Sequence, residues 1–157
     1  MTVQQTIAPV RKSLELNCDA RTAFNFYTKN MGDWWPFRTH SIGGDKTIGV
    51  AMECEEGGRL YETLEDGTEK LWGRILHWEP GARLVHSWHV NRGPEKATEV
   101  ELRFTDLEGG RCRVELEHRN WEALGDVAAE TRDQYDGGWT TVLSDRFGGF
   151  VQTRVAA

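Results

Sequence analysis

A chain of 157 residues with 38% apolar and 28% charged residues has the length and composition of a single globular domain, taken here to span residues 1–157. Its net charge is −6 and its basic residues are interleaved with acidic ones, which argues against nucleic acid as a partner. No apolar run approaches the ~20 residues of a membrane span, and the first ten residues lack the basic start and apolar block of a signal peptide, so we expect a cytoplasmic protein.

The N-terminal part of the chain predicts a strand followed by two short helices. Residues 10–17 alternate between apolar and polar side chains, as a strand with one buried face does. Asp19 is a good N-cap, and apolar residues follow it at helical spacing: Ala20, Ala23, Phe24 and Tyr27. We expect this helix to end near Gly32, just before a tryptophan pair that closes the second short helix.

Six further strands are predicted between turn signals such as "EEGG", "EDGTE", "EPGA" and "DLEGG". The last two alternate cleanly and predict an antiparallel meander with one buried face, to which these residues point: Val100, Leu102, Phe104, Cys112, Val114, Leu116 and His118. If the "EPGA" loop has an even number of residues, Ile75 faces His86 and Gly73 faces Trp88. A glycine at that position leaves room for the indole.

The C-terminal region returns to helical spacing. One apolar stripe runs through it: Tyr135, Trp139, Val142, Leu143, Phe147 and Phe150. A sheet with one apolar face needs a cover, and a helix over about residues 127–152 is the only element long enough. The fold class is therefore α+β, with a curved antiparallel sheet wrapped around a long C-terminal helix.

Several segments resemble a known superfamily in the same order along the chain. They are "AFNFYTKNMGDWWP", "GGRLYETLEDGTEKLWGRILHWEPGARLVHSW", "EVELRF", "GGRCRVELEHRNWEALG" and "YDGGWTTVL". This chain resembles the SRPBCC (START-like) superfamily, and within it the bacterial homologues of the C-terminal domain of the activator of the ninety-kilodalton heat-shock protein's ATPase. The resemblance implies a helix-grip fold with a cavity between sheet and C-terminal helix. It also implies a hydrophobic small molecule as ligand, although some members are cyclases.

Seven tryptophans are the strongest compositional signal for a binding site. A buried indole needs a partner for its N–H group, so tryptophan suits a pocket wall better than a closed core. Pro36 disfavours helical geometry at Trp35, so the adjacent indoles should diverge. We expect Trp35 to face the cavity and Trp34 to be the more exposed of the two. The expected ligand-contacting residues are Trp35, Tyr61, Trp72, His86, Trp88, His118, Trp139 and Leu143.

Metal and cofactor sites are not expected. His86 and His89 are three residues apart on a strand and therefore point to opposite faces, and no pair of the three cysteines has ligand spacing. We expect no cofactor and three reduced thiols. The chain also lacks the nucleophile and phosphate-binding motifs of common enzyme classes.

Two functions other than ligand binding remain open at this stage. A cyclase- or hydrolase-like enzyme would use the inward histidines or a glutamate as acid–base groups. Tyr61 and Glu62 are neighbours on a predicted strand, where successive side chains point to opposite faces, so only one of them faces inward. A chaperone-interaction module would instead need an exposed apolar patch. The pattern leaves the catalytic residues unknown and a homodimer possible.

Overall fold

The protein is built around one seven-stranded antiparallel sheet. The structure, a computed structural model, describes residues 7–156. The strands are β1 Val10–Leu16, β2 Thr47–Met52, β3 Arg59–Leu64, β4 Glu69–Glu79, β5 Arg83–Trp88, β6 Thr98–Asp106 and β7 Cys112–Arg119. Their order across the sheet is β1-β7-β6-β5-β4-β3-β2, so all but β1 pair with their neighbour in sequence. The expected meander is confirmed, and β1 extends it beside β7.

Helices cover the concave, apolar side of this sheet. They are α1 Ala20–Thr28, α2 Met31–Trp34 and a C-terminal helix made of α3 Ala128–Trp139, a π-helical segment Thr140–Phe147 and α4 Gly148–Ala156. Single 3-10 turns occupy Gly44–Lys46, Pro94–Lys96 and Glu108–Gly110, and a longer one Trp121–Val127. The predicted α+β fold, with a curved sheet around a long C-terminal helix, is confirmed.

The first helix begins where the sequence indicates and ends earlier. The Asp19 carboxylate accepts a hydrogen bond from the Thr22 backbone N–H at 2.8 Å, which confirms the N-cap. The expected end near Gly32 is wrong. The backbone leaves helical geometry at Asn30, with φ −101° and ψ 17°, and residues 31–34 form a separate turn of helix.

The π-helical segment explains how the C-terminal stripe stays on one face. Trp139, Leu143, Phe147 and Val151 are all buried and follow one another at intervals of four residues. In an α-helix of 3.6 residues per turn such a stripe drifts around the axis. The wider turns of a π-helix compensate for the drift, so all four side chains face the sheet.

A β-bulge decides which side chains of β4 face inward. Leu60 pairs with Gly73 and Tyr61 with Leu71, so Trp72 is the extra residue of the bulge. Both Trp72 and Gly73 are consequently buried next to each other.

The predicted pairing of Ile75 with His86 is confirmed. The reason expected for the glycine is wrong. A Cβ atom at Gly73 would lie 1.9 Å from the Ser87 carbonyl oxygen, so it is the backbone of β5, rather than the Trp88 indole, that leaves no space there.

Among residues 7–156 no helix has both the length and the apolar character needed to span a membrane.

Candidate ligand-binding cleft

A cleft of about 290 Å³ lies between the segment after α2, the end of β5 and the C-terminal helix. This volume is at the lower end of the range for small-molecule sites. The lining contains no carboxylate, and its residues are Trp35, Thr39, His40, Ser41, Trp88, Val90, Asn91, Gln134, Tyr135, Gly138, Trp139 and Val142.

Four tryptophans form the inner wall of the cleft and the core behind it. This tryptophan tetrad consists of Trp35, Trp72, Trp88 and Trp139. The ring centroid of Trp35 lies 5.2 Å from that of Trp72 and 5.8 Å from those of Trp88 and Trp139. Trp88 contacts Trp72 at 5.3 Å and Trp139 at 6.0 Å. The rings are tilted rather than stacked, which is favourable for aromatic pairs.

Each indole N–H group of the tetrad has its own acceptor. The pairs are Trp35 with the His40 carbonyl oxygen at 2.7 Å, Trp72 with Glu62 Oε1 at 2.7 Å, Trp88 with the Tyr135 hydroxyl at 2.9 Å and Trp139 with His118 Nδ1 at 3.0 Å. The donors are therefore all used inside the protein. The cleft presents aromatic surface from the tryptophans and hydrogen-bonding groups from other residues.

Glu62 is the buried anchor of the loop that forms one wall. Its Oε1 accepts from the Ile42 N–H at 2.6 Å as well as from Trp72, and its Oε2 accepts from the Gly43 N–H at 3.0 Å and Thr47 Oγ1 at 2.6 Å. Burial opposes ionisation, but these four hydrogen bonds outweigh it and lower the pKa of Glu62. Glu62 is therefore a fully bonded carboxylate that orders residues 41–47, and it has no lone pair left for catalysis.

The hydrogen bonds of His118 fix its tautomer. Nδ1 accepts from Trp139, so the ring proton is on Nε2, which donates to Thr98 Oγ1 at 2.7 Å. The Thr98 hydroxyl in turn donates to the Trp88 carbonyl oxygen at 3.2 Å. Burial lowers the pKa of His118 well below its usual value, so the ring stays neutral. His118 holds Trp139 in place rather than facing the cleft.

His86 is buried on β5, and β6 separates it from His118 on β7. Its Nδ1 donates to the Ser87 carbonyl oxygen at 3.0 Å, and Nε2 has no hydrogen-bond partner in residues 7–156. Burial lowers the pKa of His86 to about 4, so it is neutral at physiological pH. His86 is absent from the lining of the cleft.

Tyr135 lines the cleft and was not among the residues expected to contact a ligand. Its hydroxyl oxygen accepts from the Trp88 indole, so its own proton can be donated to a ligand in the cleft. Burial raises the pKa of Tyr135, which keeps the hydroxyl protonated. The sequence places Tyr135 only in the apolar stripe of the C-terminal helix. The spacing of apolar residues shows where the ring is buried, but it carries no information about the hydroxyl.

The residues expected to contact a ligand lie in three places: at the cleft, buried behind it and, for Tyr61 alone, elsewhere. Trp35, Trp88 and Trp139 line the cleft. Four others are fully buried behind it: Trp72, His86, His118 and Leu143.

Tyr61 lies elsewhere and is a correction to the expected set. It is on the opposite face of β3 from the buried Leu60 and Glu62, and the Arg59 guanidinium lies 4.4 Å from the centre of its ring.

The expectation for Trp34 is also wrong. Its side chain is 1% exposed and that of Trp35 is 5% exposed, so Trp34 is not the more exposed residue. Trp34 packs against Tyr27 at 5.0 Å and Phe147 at 4.9 Å between ring centroids, and its indole donates to the Phe26 carbonyl oxygen. The short helix α2 therefore places both indoles inside, in different environments.

The thiols and possible metal ligands are as follows. Cys18, Cys54 and Cys112 are free, which confirms the prediction of three unpaired cysteines. Cys18 and Cys112 are buried, and Cys54 is half-buried. In the part of the chain that the structure describes, no three His, Cys, Asp or Glu side chains are grouped as metal ligands.

Comparison with known proteins finds one matching family and several similar solved structures. The model of a family described as "Activator of Hsp90 ATPase homolog 1-like protein" matches residues 17–152. The anthrahydroquino-γ-pyrone synthase Txn09, solved in complex with SUM, is 33% identical over 94% of this chain and 99% of its own, with a TM-score of 0.65. No curated protein matches significantly.

Two structures from Micromonospora echinospora are also similar. The self-sacrificing resistance protein CalC is 28% identical over 94% of this chain and 96% of its own, with a TM-score of 0.69. CalU16 is 25% identical over 90% of this chain and 72% of its own, with a TM-score of 0.60.

Proposed function

Since the chain belongs to the family of activator of Hsp90 ATPase homolog 1-like proteins, we propose that it binds a hydrophobic aromatic small molecule in the tryptophan-lined cleft. The observation that carries the proposal is the lining itself. Trp35, Trp88 and Trp139 meet there with their indole N–H groups already bonded inside the protein. A flat aromatic ligand can cover these surfaces without removing water from an unsatisfied donor.

The walls of the cleft are fixed by hydrogen bonds that cross between elements, which supports binding at a preformed site. Glu62 orders the loop wall, and His118 orients Trp139 on the helix. Little conformational entropy is then lost when a ligand binds. The 33% identity to a synthase solved as a complex also supports a small molecule as the partner.

A second candidate function is catalysis of the cyclase or synthase kind, which the same 33% identity favours. The acid–base groups expected from the sequence are not available to a ligand in the cleft. Glu62 and His118 are fully hydrogen-bonded, and His86 lies outside the lining. An enzyme would have to use the two titratable side chains that line the cleft, the His40 imidazole and the Tyr135 hydroxyl. His40→Gln and Tyr135→Phe would then abolish turnover of a bound polyketide while leaving its binding measurable by mass spectrometry.

A chaperone-interaction role has less support. Four large apolar side chains of the described chain are exposed, and they lie on four different elements: Ile48, Leu76, Val127 and Val155. The proposal therefore rests on the cleft.

Two neighbouring glycines provide the test. Gly138 lines the cleft and Gly137 does not. A Cβ atom at either position would meet nothing within 4 Å, so both tolerate a side chain, and both are helical. Gly138→Leu fills the cleft from one wall, while Gly137→Leu adds the same side chain outside it. Each replacement also improves helix propensity by ~1 kcal/mol, so loss of fold is not the expected result.

The measurement is binding of the neutral fluorescent probe N-phenylnaphthylamine, followed by its emission. We expect Gly138→Leu to weaken binding by about tenfold or more, the loss of roughly 1.4 kcal/mol of contact, and Gly137→Leu to leave it unchanged. Native mass spectrometry of freshly purified protein should detect a co-purified small molecule that the Gly138→Leu variant lacks. Equal binding by both variants would refute the cleft as the site.

A further inference from the structure

The His40 imidazole lines the cleft with one of its two ring nitrogens free. Nδ1 lies 2.7 Å from the Thr39 hydroxyl oxygen, and this is the one hydrogen bond that the ring makes within residues 7–156. The residue is half-buried, and its Nε2 atom is not sealed from solvent. Nε2 can therefore bond to a ligand that enters the cleft.

The surrounding loop fixes the tautomer of His40. The Pro36 carbonyl oxygen accepts the backbone N–H groups of Thr39 at 3.1 Å and of His40 at 2.9 Å, which occupies both of its lone pairs. The Thr39 hydroxyl has one proton and lies 3.2 Å from this oxygen but only 2.7 Å from His40 Nδ1, so it donates to Nδ1. The ring proton is consequently on Nε2, and His40 presents an N–H donor.

Tyr135 provides a second donor close to the first. Its hydroxyl oxygen accepts from the Trp88 indole at 2.9 Å, which leaves the hydroxyl proton uncommitted. The His40 carbonyl oxygen accepts from the Trp35 indole at 2.7 Å, and the ring centroids of Trp35 and Trp88 are 5.8 Å apart. The residues that carry the two donors are thus bonded to two adjacent indoles and border the same aromatic surface.

The composition of the lining favours an uncharged acceptor for these donors. The lining contains no Asp, Glu, Lys or Arg side chain. An anion would lose water there without a cation to pair with, which is costly, whereas a carbonyl oxygen has less hydration to lose and accepts the same donors. A plain hydrocarbon would leave the donors without a partner.

We infer that the ligand is an uncharged aromatic ketone, a class that includes the quinones. This inference rests on the proposed function of the cleft. The aromatic rings of the ligand contact Trp35, Trp88 and Trp139, and a carbonyl oxygen accepts a hydrogen bond from His40 Nε2. A ligand with a second carbonyl group can use the Tyr135 hydroxyl as well.

Two matched probes test this inference. Fluorenone and fluorene are the same flat three-ring system with and without a carbonyl oxygen, and equilibrium dialysis measures the Kd of each. His40→Phe removes the donor but keeps a flat ring and the backbone carbonyl group to which Trp35 donates. We expect the affinity ratio of fluorenone to fluorene to be about tenfold higher for the wild type than for His40→Phe, the effect of one hydrogen bond. His40→Gln, whose amide N–H can donate, should keep part of this difference.

A control variant removes the same type of side chain elsewhere. His77 is also half-buried, but it lies outside the cleft lining and its Nε2 bonds to Glu79. His77→Phe should therefore preserve the wild-type ratio. Near-ultraviolet circular dichroism of each variant verifies that the tryptophan packing is intact.

A third probe tests the charge of the ligand. Fluorenecarboxylate has the same ring system with a negative charge, and we expect the wild-type protein to bind it more weakly than fluorenone. Binding as tight as that of fluorenone would refute an uncharged ligand.

The outcomes separate the two proposals. If Gly138→Leu weakens both uncharged probes but their affinity ratio is the same in the wild type and His40→Phe, the ketone is refuted and the aromatic site stands. The same conclusion follows if His77→Phe lowers the ratio as much as His40→Phe does, because the effect then does not come from the cleft. If neither probe binds the wild-type protein, both proposals are refuted.

Discussion

Glu62→Gln is the sharpest test of how the cleft is held together. The side chain is fully buried and accepts four hydrogen bonds, two on each oxygen. The amide of glutamine has nearly the same shape, but only one of its two terminal atoms is an acceptor. The variant therefore changes charge and hydrogen bonding with little change in volume.

The expected cost follows from those four bonds. If the amide oxygen takes the Oε1 position, the bonds from Ile42 and Trp72 persist but lose the charge, at about 1 kcal/mol each. The amide nitrogen then faces the Gly43 N–H, which is left without an acceptor at about 1–3 kcal/mol. The Thr47 hydroxyl can rotate and accept instead. The sum is roughly 3–5 kcal/mol, a large fraction of the total stability of a domain.

The pH dependence of this loss has a definite sign. The hydrogen bonds lower the pKa of Glu62 in the folded state below its value in the unfolded chain, about 4.3. The carboxylate therefore stabilises the fold fully above the unfolded pKa, and this stabilisation disappears as the pH falls through the folded pKa. The difference between wild type and Glu62→Gln should consequently be greatest near neutral pH and decrease below about pH 4.

Urea unfolding followed by tryptophan fluorescence measures both quantities. At neutral pH the midpoint of Glu62→Gln should fall by about 2 M. Glu53→Gln is the matched control, because Glu53 also accepts hydrogen bonds, from the Arg59 N–H and guanidinium, but is only half-buried. It should shift the midpoint much less. Either of two results would refute the anchor role. One is a Glu62→Gln variant as stable as wild type, and the other is a stability difference from wild type that does not decrease at low pH.

Three further predictions concern other parts of the molecule. His118→Phe should lower the free energy of unfolding by about 2–4 kcal/mol, because the Trp139 N–H loses its acceptor, and a near-neutral result in urea would contradict the fixed-tautomer description. Dithionitrobenzoate should label Cys54 first in the native protein and all three cysteines after denaturation; fewer than three would indicate a disulfide. Gly137→Ala should stabilise the protein by ~0.5–1 kcal/mol in thermal unfolding, since the residue is exposed and helical; a loss would reveal an unseen contact.

The fold was predictable because its pattern is local. Alternation along β6 and β7 correctly assigned the inward residues, including His118, since each side chain's face depends only on its position in the strand. The C-terminal helix was found from its apolar stripe in the same way. These signals report burial, and burial determines how sheet and helix pack.

The inward residues of β3 and β4 were harder to predict, because a bulge changes the face of every side chain beyond it. The bulge at Trp72 accompanies the close approach of Gly73 to the Ser87 backbone, which is a contact between different strands. No local pattern encodes such a contact. The alternation of side chains along β3 therefore predicts only that Tyr61 and Glu62 face opposite ways. The structure shows that Glu62 is the one inside.

The loop after α2 was the least predictable part of the cleft. Residues 36–46 have no apolar period, and their conformation depends on a carboxylate that is distant in sequence. Glu62 binds the backbone of Ile42 and Gly43, and the loop in turn provides His40, whose carbonyl oxygen accepts from Trp35. Sequence reasoning identified Trp35 as important but could not identify the residues that hold it.

The tryptophan pair shows why stability and binding must be tested at different residues. Pro36 ends the helix as predicted, with Trp35 extended at φ −65° and ψ 129°, and the two indole planes diverge by 53°. Trp34 is a core residue, while Trp35 is 5% exposed and also lines the cleft. Trp35→Ala would therefore reduce stability by ~3–5 kcal/mol and binding together, and neither loss would identify its cause. Gly138 separates them, because it borders the cleft and contributes no side chain to the core.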